Sequence, residues 1–228
     1  MLHSLKKLLP ALVLLTLAAC QSDADEALPA PAPGAALYRV TFEATWSAAT
    51  HANFPAGAHF SPLIGTAHQP GGLLFAPGQL ASVGIKNMAE RGNNTALRAE
   101  IVALQGQRAA RGLLATSGID SPGLIADTIR LDAAHPRLSV VTMIAPSPDW
   151  FVALENENLL GADGQWVAQR TVPALSYDAG TDSGPSFTAA DQATTPAAPI
   201  ARLRLAPASG PAAADGPALG IWRLERIK

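Results

Sequence analysis

Apolar and polar residues alternate from the start of the region that we expect to fold. Tyr38, Val40, Phe42, Ala44 and Trp46 are apolar, and the residue between each pair is polar. A period of two is typical of a strand that buries one face. The pattern predicts a half-buried strand over residues 38–46.

Further strands are predicted along the chain, joined by short connections. Apolar and β-branched residues dominate 138–144, 150–154 and 166–172, and alternation returns in 201–205 and 222–225. Residues 207–217 are rich in Ala, Pro and Gly and predict a surface loop. We expect the last two strands to pair with each other. Antiparallel strands with few helices predict a mainly β protein, an antiparallel β-sandwich.

Two short helices interrupt the strands. The first is predicted over residues 79–90 and ends at Gly92, a plausible C-cap. Thr95 is suited to cap a second helix, because Leu97, Ile101 and Leu104 follow at helical spacing. We expect both helices to cover an end or a flank of a sheet.

The amino terminus has the pattern of an export signal. Lys6 and Lys7 precede an apolar run that ends in Leu-Ala-Ala-Cys20. The run is shorter than the roughly 20 residues that cross a bilayer as a helix. Its ending resembles a bacterial lipobox, which implies cleavage of a signal peptide, residues 1–19, and lipidation of Cys20. The alternative is an ordinary signal peptide with an incidental cysteine.

The segment after Cys20 predicts a tether to the membrane anchor and indicates in which membrane the protein is located. Residues 20–36 are rich in Pro and Ala without apolar periodicity, as in a semi-rigid linker. They would hold a single domain, residues 37–228, away from a membrane. Gln21 follows the cysteine where an aspartate would resemble an inner-membrane retention signal. We therefore expect a membrane-anchored lipoprotein of the outer membrane.

Composition narrows the function classes. Hydrophobic residues make up 48% of the 228 residues, which argues against a disordered chain. The formal charge is −2, without the basic stripe that phosphate backbones require, so nucleic acid is not an expected partner. The chain has 1 cysteine, so no disulfide is expected within it.

Signatures of an enzyme are missing from the sequence. There is no His-Glu-x-x-His, no Gly-x-Ser-x-Gly and no phosphate-binding glycine loop. The chain is therefore predicted not to be an enzyme. The alternative is an envelope hydrolase in which His51, His68 or a metal activates water.

Three aspartates are the main candidates for a site. Asp178 and Asp182 lie in one loop around Gly180, a glycine that can take positive φ and so curl both acids toward one point. Asp149 lies in a proline-stiffened turn between two predicted strands. Carboxylate oxygens are ligands that Ca²⁺ prefers. Alternatively, Asp149 bonds the backbone of its own turn, and Asp178 and Asp182 form Asx-turns. The spacing does not distinguish between the two.

Two segments identify a family. Residues 143–152, MIAPSPDWFV, and residues 177–184, YDAGTDSG, resemble the two central motifs of the spondin domain. Agreement in residue order extends roughly from Tyr38 to Ile200. The resemblance implies a β-sandwich similar to calcium-dependent phospholipid-binding modules, with Ca²⁺ held by Asp149, Asp178 and Asp182. This chain departs from the animal proteins by having no cysteine inside the domain.

The resemblance also implies a class of function. Spondin domains of animals belong to extracellular matrix and adhesion proteins and carry no implied catalysis. We therefore expect a lipid-anchored, calcium-binding, non-catalytic binding or adhesion module of the cell envelope, with a protein or glycan partner at the cell surface. Calcium-dependent contact with a phospholipid surface is a further alternative.

Overall fold

The computed structural model describes residues 33–71, 74–211 and 214–228. The predicted signal peptide and Cys20, and most of the tether, lie outside these residues. The described residues form twelve strands and two helices. The strands of the first half are β1 (Ala36–Ala44), β2 (His59–Phe60), β3 (Ile64–His68), β4 (Ala110–Ala115), β5 (Ile119–Asp120) and β6 (Gly123–Leu131). Those of the second half are β7 (Arg137–Ala145), β8 (Trp150–Asn158), β9 (Gln169–Pro173), β10 (Leu175–Asp178), β11 (Ala201–Arg202) and β12 (Gly220–Arg226).

The smaller sheet has four antiparallel strands in the order β6-β1-β12-β9. Tyr38, Val40 and Phe42 of β1 point inward and are almost fully buried, while the residues between them are partly exposed. The predicted alternation is confirmed. The strand begins at Ala36, and Trp46 lies just beyond its end, also fully buried.

The larger sheet has the order β11-β10-β8-β7-β2-β5, and β3 joins β7 to β4. Both faces of this sheet are covered. Val140 and Ile144 of β7 face the smaller sheet, whereas Val141 and Met143 face the helical layer. A strand covered on both faces needs apolar residues at consecutive positions. The nearly continuous apolar run of residues 138–144 therefore predicted a strand correctly. The run is continuous because β7 packs against one hydrophobic core between the sheets and a second core under the helices.

The space between the two sheets is filled by large side chains, as a β-sandwich requires. Phe42 stacks on Trp222 at 4.6 Å between ring centroids and meets Phe60 edge-on at 4.9 Å. Burying each such ring contributes roughly 1.5–3 kcal/mol. The predicted mainly β sandwich is confirmed.

Helices α1 (Val83–Arg91) and α2 (Thr95–Gly106) cover the outer face of the larger sheet, as expected. Ser82 caps α1 through its side chain, and Gly92 ends it in the left-handed conformation, which confirms the predicted C-cap. The prediction for Thr95 was wrong in detail. Asn94 occupies the cap position of α2, Thr95 is its first helical residue, and the Thr95 N–H donates to the side chain of Asn93 over 2.9 Å.

Two other details differ from the sequence prediction. The segment around Leu203 and Leu205 contributes only the two-residue β11, and both leucines pack on the core from the residues that follow this strand. The last two strands do not pair with each other: β11 pairs with β10, and β12 lies between β1 and β9.

The sandwich has two ends. The proximal end is the one at which β1 begins, and it contains Ala36, Leu131 and Arg226. The distal end contains Ala44, Gly123 and Gly220, and the turn from β7 to β8 lies there too. Phe187 joins the two sheets at the distal end, with its ring 5.2 Å from Trp46 and 5.0 Å from Trp150. Neither helix in the described part of the chain has the length and apolar character needed to cross a bilayer.

Candidate metal site

The two predicted acidic segments meet at the distal end of the larger sheet. Asp149 lies in the turn that joins β7 to β8, one residue before Trp150. Asp178 ends β10, directly opposite Trp150 in the antiparallel ladder. The ladder therefore brings Asp149 and Asp178 together, although 28 residues intervene in the sequence.

Asp149 is completely buried and holds the neighbouring loop. Its Oδ2 accepts hydrogen bonds from the backbone N–H groups of Thr181, over 2.7 Å, and Asp182, over 3.0 Å. The Thr181 hydroxyl donates to the same oxygen over 3.3 Å. Oδ1 of Asp149 is buried and has no hydrogen-bond partner in the described residues. One carboxylate oxygen is thus fully engaged and the other is available to a ligand.

The surroundings of Asp149 disfavour the ionised form of its carboxyl group. Burial raises the pKa of this carboxyl above its ordinary value, and the nearby charge of Asp178 raises it further. The hydrogen bonds from Thr181 and Asp182 lower the pKa, but they do not reverse the direction. A cation beside Asp149 and Asp178 would remove the repulsion between them.

Asp178 and Asp182 shape the loop through their own backbone. Oδ1 of Asp178 accepts from the N–H of Gly180 over 2.8 Å, and Oδ1 of Asp182 accepts from the N–H of Gly184 over 2.7 Å. Both are Asx-turns, so that alternative was correct for these two residues. It was wrong for Asp149, which bonds the loop of Asp178 and Asp182 and not its own turn.

The glycine between the two aspartates has the predicted role. Gly180 has φ +74°, in the left-handed region that residues with a β-carbon avoid. Its carbonyl oxygen accepts from the N–H of Ala198 over 2.8 Å. The sequence prediction missed Thr181 and Ala198, since a supporting backbone group leaves no signature in the sequence.

The donor set fits a hard cation in part. Asp149 offers an unpaired buried oxygen, and only one oxygen of Asp178 accepts a hydrogen bond in the described residues. Both oxygens of Asp182 accept backbone N–H groups, but each retains a second lone pair. No group of three or more Asp, Glu, His or Cys side chains in the described residues is arranged to hold one ion. The three-aspartate ligand set stays a prediction, with Asp149 and Asp178 as its best supported members.

Two depressions flank this loop. A pocket of about 150 Å³ on one side is lined by residues that include Lys86, Asp182 and Asp191. A larger groove of about 680 Å³ is lined by residues that include Trp150 and Phe187, on the segment that follows Asp182. A cation that orders the loop would therefore also fix a wall of the groove.

The two histidines of the hydrolase alternative are not arranged to activate water. His68 is fully buried, its Nδ1 lies 2.8 Å from the carbonyl oxygen of Gln69, and its Nε2 lies 2.9 Å from the hydroxyl of Ser139. His51 is nearly as buried, and its ring nitrogens contact Thr50 and the Pro217 carbonyl. Burial lowers the pKa of both rings. These are structural histidines with both nitrogens occupied.

Comparison with known proteins agrees with the motifs. Residues 36–214 match the family Spondin_N. The chain is 31% identical to spondin-2 of Homo sapiens over 215 residues, which cover 92% of this chain and 65% of that protein. It is 32% identical to spondin-1 of Gallus gallus over 170 residues, which cover 72% of this chain and 21% of that protein. The chain thus spans less than two thirds of the first relative and about a fifth of the second. The match over most of its length confirms the resemblance and shows that the chain belongs to the Spondin_N family.

Proposed function

We propose that this chain is a non-catalytic binding or adhesion module, ordered by Ca²⁺ at its distal end and held on the outer membrane by lipid at Cys20. The observation that carries the proposal is the unpaired, buried Oδ1 of Asp149 beside the carboxylate of Asp178. A buried oxygen without a partner is unfavourable, and a cation would satisfy it. The family membership supports the same class of function.

The metal has a structural role in this proposal. Asp149 links the turn after β7 to the loop after β10, and the charge of Asp178 opposes its ionisation. Binding of Ca²⁺ to the folded state alone would stabilise that state by mass action. The ordered distal end would then present the surface that a protein or glycan partner contacts.

The calcium site is tested by thermal unfolding with Ca²⁺ and with a chelator. We expect Ca²⁺ at about one hundred times its Kd to add roughly 2.7 kcal/mol, seen as a rise in Tm of several degrees. Asp178→Asn should abolish the rise. Asp120→Asn is the matched control, because Asp120 is exposed at the same end and its side chain accepts no hydrogen bond in the described residues. An equal Tm with and without Ca²⁺ would refute the calcium site.

The lipid anchor is tested separately in the intact chain. Two acyl chains give stable anchoring, whereas an unmodified polar tether gives none. At high salt, Cys20→Ser should therefore move the protein from the membrane fraction to the soluble fraction, with no change in Tm. Retention of the Cys20→Ser protein in the membrane at high salt would contradict lipid anchoring.

A further inference from the structure

We propose that the proximal end of the sandwich is a docking surface for anionic phospholipid, so that the domain lies on the membrane by the end opposite to the candidate metal site. The inference rests on the proposed function in one respect: the lipid anchor at Cys20 brings a membrane to this end. Its basis is the distribution of charge over the described residues.

Four exposed basic residues lie at the proximal end. None of the ion pairs formed within the described residues involves Arg108, Arg130, Arg226 or Lys228, and all four residues are exposed. We call these four residues the proximal basic surface. Three acids at this end are paired, Asp132 with Arg111 at 2.6 Å, Glu157 with Arg170 at 3.0 Å, and Glu225 with Arg39 at 3.4 Å. The exposed Asp163, in the loop after β8, forms no ion pair within the described residues.

The strand register places these cations around the first residues of β1. Arg130 lies opposite Leu37 across the β6–β1 ladder. On the other side of β1, the N–H of Leu37 donates to the carbonyl oxygen of Lys228 over 2.9 Å. Arg226, the last residue of β12, lies opposite Tyr38. Three of the four cations thus surround one short stretch of backbone.

Arg108 extends the surface toward the larger sheet. Its carbonyl oxygen lies 3.0 Å from Nε2 of His135, and Arg108 lines an open depression of about 570 Å³ together with Arg111, Gly112 and His135. A β-carbon on Gly112 would lie 3.8 Å from the Arg130 carbonyl oxygen. The depression therefore adjoins β6 at Arg130, and the four cations share one end.

The chain reaches the domain at this same end. The indole N–H of Trp166 donates to the carbonyl oxygen of Gly34 over 2.7 Å, which fixes the backbone just before β1 at the proximal end. The described chain therefore enters the fold at the end that carries the proximal basic surface. The formal charge of the whole chain is −2. The positive charge at the proximal end therefore does not follow from the net charge of the chain but from where the charged residues lie.

The chemistry favours anionic headgroups as the occupant. Each exposed lysine or arginine close to an anionic bilayer strengthens binding about fivefold. The attraction acts over about a Debye length, so it needs the residues near the bilayer and no deep pocket. Contact at the distal end would instead place Asp120, Asp178 and Asp191 against anionic lipid, which is repulsive without metal.

The test is co-sedimentation of residues 33–228 with vesicles of phosphatidylglycerol and phosphatidylethanolamine, in chelator. This part of the chain contains all described strands, both helices and both cores, so it is the complete fold without the tether. We expect binding at low salt, loss of binding at about 0.5 M NaCl, and no binding to vesicles of phosphatidylcholine alone.

Charge reversal identifies the surface. Arg130→Glu with Lys228→Glu should weaken binding by at least about tenfold. Arg98→Glu with Arg204→Glu changes the net charge equally at exposed residues outside the proximal basic surface, and should weaken binding much less. Equal Tm values for the two double variants confirm that both are folded.

Three outcomes would overturn the inference: no binding to anionic vesicles, an equal loss in both double variants, or binding that appears only with Ca²⁺ and disappears in Asp178→Asn. The last would assign the contact to the distal end. None of them bears on the rise in Tm with Ca²⁺ or on the fractionation of Cys20→Ser, so the proposed function stands or falls separately.

Discussion

Gly180 lies against the carbonyl oxygen of Ala198 so closely that a β-carbon on Gly180 would overlap that oxygen. The Ala198 N–H donates back to the Gly180 carbonyl over 2.8 Å, so the two backbones are locked together. Gly180→Ala should therefore lower the free energy of unfolding by about 3 kcal/mol, from both the positive φ and the overlap. Urea denaturation measures the loss.

Gly164 provides the matched control. It has φ +73°, nearly the value of Gly180, but a β-carbon there would meet nothing within 4 Å. Gly164→Ala isolates the conformational cost, about 1 kcal/mol. Equal losses in the two variants would mean that the contact with Ala198 contributes nothing.

Two substitutions at Asp149 distinguish the roles of its two carboxylate oxygens: Oδ2 accepts hydrogen bonds, and Oδ1 has no partner in the described residues. In chelator, Asp149→Asn keeps one oxygen for the N–H groups of Thr181 and Asp182 and removes the repulsion with Asp178. We expect its Tm to equal or exceed that of the wild type. Asp149→Ala leaves the two N–H groups without their acceptor and should lower the free energy of unfolding by about 2–4 kcal/mol.

Calcium adds the second half of this comparison. Neither Asp149→Asn nor Asp149→Ala should gain stability from Ca²⁺, because both lack the anionic oxygen. If Asp149→Asn is as unstable as Asp149→Ala in chelator, the charge of Asp149 is needed by the loop itself, and the case for a cation weakens.

Local patterns predicted the strands that alternate strictly or form a continuous apolar run, and missed strands that do neither. β1 alternates strictly and was predicted. In β6, Leu124 is 64% exposed on the outer face, whereas Asp127 is half-buried, and its carboxylate lies 3.4 Å from the N–H of Ala115. Because β6 has a leucine on its exposed face and an aspartate on its inner face, its sequence does not alternate between apolar and polar residues.

The strand β3 was missed for a different reason. All five of its residues are buried, including Thr66 and His68, whose side chains are satisfied by Gly112, Gln69 and Ser139. A polar residue in a sequence predicts exposure unless its hydrogen-bond partners are known. Two of those partners, Gly112 and Ser139, lie on other strands, so the burial of β3 could not be predicted from its local sequence.

The candidate site divides in the same way. Its acidic residues were predicted from the two motifs, and the left-handed glycine was predicted from its position between Asp178 and Asp182. That Asp149 would bond the other loop depends on the pairing of β8 with β10. Such long-range pairings leave no periodicity in the sequence.

The two helices are joined by one carboxylate. Glu100 of α2 accepts hydrogen bonds from the Gly84 N–H and from the Ser82 hydroxyl, each over 2.7 Å, at the amino terminus of α1. A carboxylate there also interacts favourably with the helix dipole. Glu100→Ala should lower the free energy of unfolding by about 2 kcal/mol.

Glu90 is the control for that change. It pairs with Lys86 at 3.5 Å in the i,i+4 arrangement on α1, where the lysine side chain is 43% exposed and the glutamate side chain 13%. Such a pair contributes about 0.3–0.5 kcal/mol, so Glu90→Ala should have little effect on urea denaturation. Similar losses for Glu90→Ala and Glu100→Ala would contradict the role of Glu100 as a specific link between the helices.

The two buried histidines predict how stability depends on pH. Burial lowers the pKa of His68 in the folded protein below the ordinary value near 6.5, and the pKa of His51 is lowered in the same way. The Gln69 carbonyl can only accept, so Nδ1 of His68 carries the proton and Nε2 accepts from Ser139. A second proton on the ring would break this arrangement.

Between the two pKa values, both histidines therefore bind a proton in the unfolded chain but not in the folded protein. Stability is complete above pH 6.5 and falls as the pH decreases through 6.5 toward the folded pKa, by up to about 1.4 kcal/mol per pH unit for each ring. Urea denaturation between about pH 5.5 and 7.5 in chelator measures the slope. His68→Asn keeps a donor for Gln69 and should reduce the slope relative to the wild type, and His51→Asn should reduce it as well. If both variants retain the slope of the wild type, the acid sensitivity arises from other groups, and neither histidine is buried in its neutral form.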